Sequence, residues 1–357
     1  MSHPEITSND IPSVLERNLK AGNRKPPLLL AYYGLGKSMQ GNKFAKNNGM
    51  HYIDYRAAYK TFNDVRGFGV PNRESGKMEF LIDEDFDFVD GKPNCLHFEE
   101  ILNASQQTQK PLMQAMLDRR IGKFKFPKDT FIFGSSNRLS QKTGVERLLA
   151  ALADRFAIFH VRPDIDSYKG YLEQNGKAPE VLAFLSANPN ATYDFDIKKW
   201  DGESNLPTFR SFDRLDDLTA SYTTIREAAD DPLFRANAAS CVGAKYGEMF
   251  AQFIKLASRI GDVRDMIDNA DTCKIPSEPD IKWLVACRAI TEANKDNLPN
   301  VLTLAHRLSD PDQQTPDALL SMESFVGNSI RRRKQDLLSA PAMLNWQLKH
   351  ADALTQC

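Results

Sequence analysis

One segment constrains this chain more than any other: Leu28-Leu29-Leu30-Ala31-Tyr32-Tyr33-Gly34-Leu35-Gly36-Lys37-Ser38. An apolar run leads into a small residue, four spacers and then Gly-Lys-Ser. Such a run suits a buried strand that feeds a phosphate-cradling turn and opens a helix. Backbone N–H groups of the turn and of the helix start converge on an anion. Lys37 sets an ammonium against outer phosphates, and the Ser38 hydroxyl suits Mg²⁺. The first motif position is Ala31, where the usual pattern has glycine. Alanine is the smallest side chain after glycine, so the turn is expected to form with less freedom there. Ala31, Gly34, Leu35, Gly36, Lys37, Ser38 and Met39 are therefore the candidate nucleotide-binding segment, against the plain alternative of a glycine-rich turn.

Length and charge bound the rest. A chain of 357 residues accommodates two or three domains. Its net charge of −1 argues against bulk attraction to nucleic acid. No apolar segment approaches membrane-spanning length, and Met1-Ser2-His3-Pro4-Glu5 lacks a signal-peptide pattern. The five cysteines, Cys95, Cys241, Cys273, Cys287 and Cys357, show no Cys-x-x-Cys spacing. Free thiols in a reducing cytoplasm account for them better than disulfides or zinc.

From Pro26 onward the chain alternates strands and helices. The strand signals are Leu28–Tyr32, His51–Tyr55, Cys95–Phe98, Thr130–Gly134 and Ala157–Val161, with helices over Pro12–Lys20, Ser38–Asn47, Glu100–Arg119 and Val145–Ala153. That alternation predicts a parallel five-stranded sheet with flanking helices, an α/β domain over residues 1–165. Residues 64–90 read as loop-like, too long for a simple connection, and so as an insertion. Residues 121–128 read as a hairpin with Gly122 near its turn. Beyond residue 165 the strand signals fade. Helical patterns over 166–187, 212–228, 235–260, 280–294, 298–308 and 317–338 predict an all-helical region across 166–357.

Four further places carry chemistry. Leu96-His97-Phe98-Glu99-Glu100 ends a strand in two carboxylates. Glu99 occupies the position beside a metal ion, usually Asp, so its carboxylate reaches about 1.5 Å further. Glu100 is the candidate for orienting water and taking its proton; a solvated helix start is the alternative. Asn137 ends the next strand, where an amide would contact water or a γ-phosphate, or simply start a helix. Arg155 is either a surface charge or a group that touches a neighbour's nucleotide in a ring. Arg210, at a helix start in the second region, is either a surface charge or a link between domain angle and nucleotide.

Taken in order, these motifs resemble the AAA+ ATPases, and within them the MoxR-type branch. The likeness rests on Ala31–Ser38, Glu99-Glu100-Ile101-Leu102-Asn103-Ala104, Leu117-Asp118-Arg119-Arg120-Ile121-Gly122, Asn137, Asp154-Arg155-Phe156 and Phe209-Arg210-Ser211-Phe212. It spans residues 10–215 and continues faintly to Trp346. The resemblance implies a P-loop AAA+ domain followed by a helical lid. It implies ATP and Mg²⁺ as ligands, with Ser38 and Glu99 at the metal. By the same likeness Glu100 and Asn137 are catalytic, Arg155 is an arginine finger and Arg210 a sensor. It further implies a hexameric ring that remodels a protein client, such as a von Willebrand factor A-domain protein. Ala31 and Glu99 depart from the family pattern and point to slow turnover, or to a nucleotide-gated scaffold. A DNA-acting AAA+ motor or loader is the other alternative, prompted by Arg331-Arg332-Arg333-Lys334; that run equally suits the last turn of a solvated helix.

Three features stay outside the motifs. His97 should face opposite to Leu96 and Phe98 and be buried and hydrogen-bonded rather than metal-ligating. Tyr32 and Tyr33 either stack on a neighbouring copy or cover the turn. The acidic run Asp83-Glu84-Asp85-Phe86-Asp87 is solvated or faces a partner, and disfavours DNA there.

Overall fold

The computed structural model describes residues 5–138, 154–309 and 322–350. The expected helix over Val145–Ala153 lies outside these. The chain divides into two compact units: one to Asp164, with Asp196–Lys199, and one of the remaining residues from Ile165 on.

The first unit is built on a six-stranded, wholly parallel sheet. In chain order its strands are β1 (Glu5–Thr7), β2 (Pro27–Ala31), β3 (His51–Arg56), β6 (Asn94–Glu99), β9 (Thr130–Asn137) and β10 (Ala157–Arg162), and across the sheet they run β1-β10-β2-β9-β6-β3. The five expected strands are joined by β1, whose three residues pair with β10 at one edge. β2 lies in the interior, between β10 and β9. In such open sheets the crevice at the carboxyl ends of the strands, where the chain order switches, is the place for a ligand.

Both faces of the sheet are covered, as continuous apolar strands require. On one face Leu28, Ile53, Leu96, Phe98 and Ile132 pack with Leu112, Ala115 and Met116 of α4 (Gln106–Asp118). On the other, α2 (Lys37–Asn47) lies so close that a Cβ at Gly41 would meet the Phe133 ring at 2.7 Å. Phe44 of α2 tilts against Phe131 with centroids 5.1 Å apart. Asn48 caps α2, and Gly49 turns away at φ +65°, which few residues other than glycine adopt readily. α1 (Ile11–Lys20) buries Ile11 and Leu15.

The stretch 64–90 is not the plain loop expected. It holds α3 (Phe62–Arg66, starting just before it) and an antiparallel hairpin of β4 (Phe68–Asn72) and β5 (Lys77–Leu81). The Asn72 side-chain oxygen accepts from the N–H groups of Glu74 and Ser75, which fixes the turn. Phe68, Val70, Met78, Phe80 and Leu81 are all exposed. Gly67, Gly69, Pro71 and Gly76 break up these short strands and make the stretch read as loop. A second small hairpin pairs β7 (Arg120–Ile121) with β8 (Phe124–Lys125) about Gly122.

All the described secondary structure of the second unit is helical. Its helices shorten the expected segments at identifiable breaks. Ile165–Asn175 and Pro179–Ala187 are separated by Gly176 to Ala178. Phe234–Val242 and Ala244–Ala257 are separated by Gly243 at φ +85°. Phe209–Ala220 and Ile225–Asp230 form two helices where one was expected, and Val263–Asp268 is an unexpected short one. Pro279–Glu292, Leu298–Leu308, Met322–Arg333 and Pro341–Lys349 complete the unit. Val285, Ile290, Val301, Leu304, Val326 and Trp346 share one apolar core. No helix among the described residues is long and apolar enough to cross a membrane.

Candidate functional site

The site lies at the carboxyl ends of three adjacent strands. Side chains alternate faces along a strand, and the register aligns Asp54 with His97, Arg56 with Glu99, His97 with Phe133, and Ala31 with Asn137. Tyr52, Asp54, Arg56, His97, Glu99, Ser135 and Asn137 therefore share the face that α2 covers.

The turn between β2 and α2 is shaped for an anion. Gly34 and Gly36 take left-handed backbone angles, φ +75° and +71°. Gly36 is the helix N-cap, and no side chain caps the helix start. Amides at such a helix start favour an anion. Ala31 ends β2 fully buried, and Leu35 is buried beneath the turn. Met39 is half exposed on the first turn of α2. The Arg138 guanidinium covers the Tyr32 ring at 4.9 Å. Arg138 also donates to the carbonyls of Leu30 and Val161 and pairs with Glu5, tying β1, β2 and β10 together.

Lys37 is buried, and its Nζ donates to Asn137 Oδ1 at 3.0 Å and to the Tyr32 carbonyl at 3.4 Å. The Ser38 hydroxyl donates to Glu99 Oε1. Adjacent Lys37 and Ser38 are thus brought into contact with the distant Asn137 and Glu99, respectively. The glycine-lined turn suits a polyphosphate, and the oxygens of Ser38 and Glu99 suit Mg²⁺.

Glu100 follows on a strained corner. Its backbone lies at φ 56°, ψ 38° and leads into a 3₁₀ turn over Ile101–Asn103. A non-glycine residue there costs about 1 kcal/mol or more, the kind of strain that collects at functional positions. The Leu102 N–H donates to Ser136 Oγ at 3.2 Å, which ties the turn to β9.

Behind these residues His97 is completely buried. Its Nδ1 meets the Tyr52 hydroxyl at 2.7 Å and its Nε2 the Ser135 hydroxyl at 2.8 Å. Its ring stacks on Phe133 with centroids 4.1 Å apart. Burial, aided by the Lys37 charge, pushes the imidazole down to about 3. The Tyr52 hydroxyl also reaches the Ser38 carbonyl at 3.4 Å, so this neutral network props the start of α2.

The sequence reading missed Asp54. Its Oδ2 accepts from Arg56 Nε at 3.2 Å, while Oδ1 is buried without a donor. Arg56 Nε also lies 3.5 Å from Glu99 Oε2. Partial burial and the adjacent Glu99 hold the Asp54 carboxyl above the usual carboxylate range. Only the cross-strand register reveals this residue, so no local signal could have found it.

Arg155 is not at this cluster. Arg155 is exposed, two residues before β10. Ala157 pairs with Pro27 at the start of β2, whereas the Lys37 turn leaves its other end. Five residues of β2 at roughly 3.3 Å each put about 16 Å between the two levels. Arg210 belongs to the second unit, exposed on the first turn of Phe209–Ala220, whose start is capped by the Thr208 hydroxyl. Two residues of the basic run bond within that unit. Arg332 pairs with the buried Glu173 at 3.2 Å, and Lys334 donates to the Thr291 carbonyl at 3.2 Å. This weakens the motive for a nucleic-acid partner.

No family model matches this chain, and no curated protein matches it. Among solved structures, it is similar to a presumed ATPase of Cytophaga hutchinsonii ATCC 33406, at 13% identity and a TM-score of 0.32, covering 89% of this chain and 88% of that one. It is similar also to the Thermotoga maritima RuvB Holliday junction branch migration motor, at 14% identity and a TM-score of 0.32, covering 95% and 86%. Likenesses this loose decide nothing about activity.

Proposed function

We propose that this chain is an AAA+ ATPase of MoxR-like character. It hydrolyses ATP between the subunits of a hexameric ring and uses the cycle to remodel a protein partner. The observation that carries the reading is the meeting of Lys37, Ser38, Glu99 and Asn137 at the ends of β2, β6 and β9.

In this reading the turn Ala31–Met39 holds the triphosphate through its backbone amides, and Lys37 exchanges the Asn137 amide for phosphate oxygens. Ser38 and Glu99 hold Mg²⁺, which when bound draws negative charge off the phosphates. Glu100 orients a water and accepts its proton, and Asn137 positions that water. Arg155 stands at the opposite end of the sheet from its own turn, so its role requires a second copy. Arg210 makes the helical unit sensitive to nucleotide. The exposed apolar side chains of β4 and β5 provide a surface for a protein client, of the von Willebrand factor A-domain type by family likeness. Ala31 and Glu99 favour slow turnover.

Phosphate release from ATP tests this. Purified protein is expected to release phosphate only with Mg²⁺, at a rate per subunit that rises with protein concentration as rings assemble. Assembly on ATP without release would favour the scaffold reading; no ATP binding at all would overturn both.

A further inference from the structure

Resting on that reading, we infer that Asp54 is a further oxygen donor of the divalent-cation site, acting with Ser38 and Glu99. Three observations converge. First, the β3–β6 register sets Asp54 beside His97 and one step from Glu99 on the face that α2 covers. Arg56 Nε lies 3.2 Å from Asp54 Oδ2 and 3.5 Å from Glu99 Oε2, so one nitrogen brings the two carboxylates close. Second, Glu99 already receives the Ser38 hydroxyl, while Asp54 Oδ1 is buried with no donor. Third, Arg56, which pairs with both carboxylates, is itself more than half exposed.

Two partly buried carboxylates close to one another are unfavourable without a cation beside them. Asp54, Glu99 and Arg56 together carry a net charge of −1. Mg²⁺ is commonly held by one or two carboxylates, a hydroxyl and substrate phosphates, with waters completing the shell. This donor set fits that pattern. It also gives the unusual Glu99 a physical account. The longer side chain reaches Ser38, and Asp54, from the neighbouring strand, supplies the second carboxylate oxygen.

Asp54 is assigned as a metal-site residue, with no part in proton transfer. The competing account makes it only a strand-end partner for Arg56. The two differ in what metal binding does, apart from turnover.

The test is titration of Mn²⁺ into the full-length protein with ADP, followed by the electron paramagnetic resonance of free Mn²⁺. ADP affinity is measured separately in EDTA. Asp54→Asn is expected to weaken Mn²⁺ binding 10–100-fold, the usual consequence of losing an oriented carboxylate at a metal, and to leave ADP affinity in EDTA within twofold. Arg56→Ala, which removes positive charge, is expected to tighten Mn²⁺ binding. If Asp54→Asn does not fold, Asp54→Ser is read the same way. Mn²⁺ affinity within twofold of wild type, with ADP still bound, overturns the inference and leaves the nucleotide reading intact. Failure of the wild type to bind ADP overturns the nucleotide reading, and the inference with it.

Discussion

Lys37→Ala is expected to abolish ATP hydrolysis and to weaken ATP binding by about 100-fold. The ammonium of Lys37 is buried and aimed at the end of β9, where it meets Asn137 Oδ1. A charge-assisted hydrogen bond contributes about 1.5–3 kcal/mol, and an ammonium facing phosphates makes more than one. Alanine leaves Asn137 and the Tyr32 carbonyl to water, so the fold should survive. Equilibrium binding of a fluorescent ATP analogue, with circular dichroism to confirm folding, measures the effect. Unchanged affinity in a folded Lys37→Ala protein would mean that the turn after β2 does not hold phosphate.

Glu100→Gln should separate binding from chemistry. The substitution keeps shape and removes the proton acceptor. Turnover is expected to fall by ~10²–10⁴, with ATP affinity changed only a few-fold. The left-handed backbone of Glu100 sets a strained corner at the end of β6, the kind of position where function concentrates. Single-turnover hydrolysis with radiolabelled ATP reads the effect, and the variant should accumulate the ATP-bound assembly. Wild-type turnover would remove Glu100 from the chemistry.

The parts of the site legible in the sequence are those encoded locally. Leu28–Ala31 announces a buried strand by unbroken apolar character, and Gly36-Lys37-Ser38 announces the turn by spacing. Glu99 and Asn137 could be singled out because each ends an apolar run. Asp54 could not, because its importance arises only when β3 pairs with β6 and brings it to Glu99. The tie between His97 and Tyr52 is likewise a product of register. β1 escaped notice because three residues are too few to show a period and form a strand only against an existing edge. The hairpin of β4 and β5 was hidden by Gly67, Gly69, Pro71 and Gly76, which read as loop. In the helical unit apolar spacing continues across Gly243, so only the positive φ of that residue shows where one helix ends and another begins.

The central claim is that one copy grips the triphosphate and another completes the site with an arginine. Mixing two inactive variants tests it most directly. Lys37→Ala lacks the grip but keeps Arg155; Arg155→Ala keeps the grip but lacks the reaching charge, a loss worth ~10³–10⁵ in rate. Each alone should be silent. Combined in equal amounts, they should recover phosphate release at a measurable fraction of the wild-type rate, because mixed rings contain seams with both groups intact. Full activity of Arg155→Ala alone, or silence of the mixture after mixed rings have been shown to form, would contradict the account.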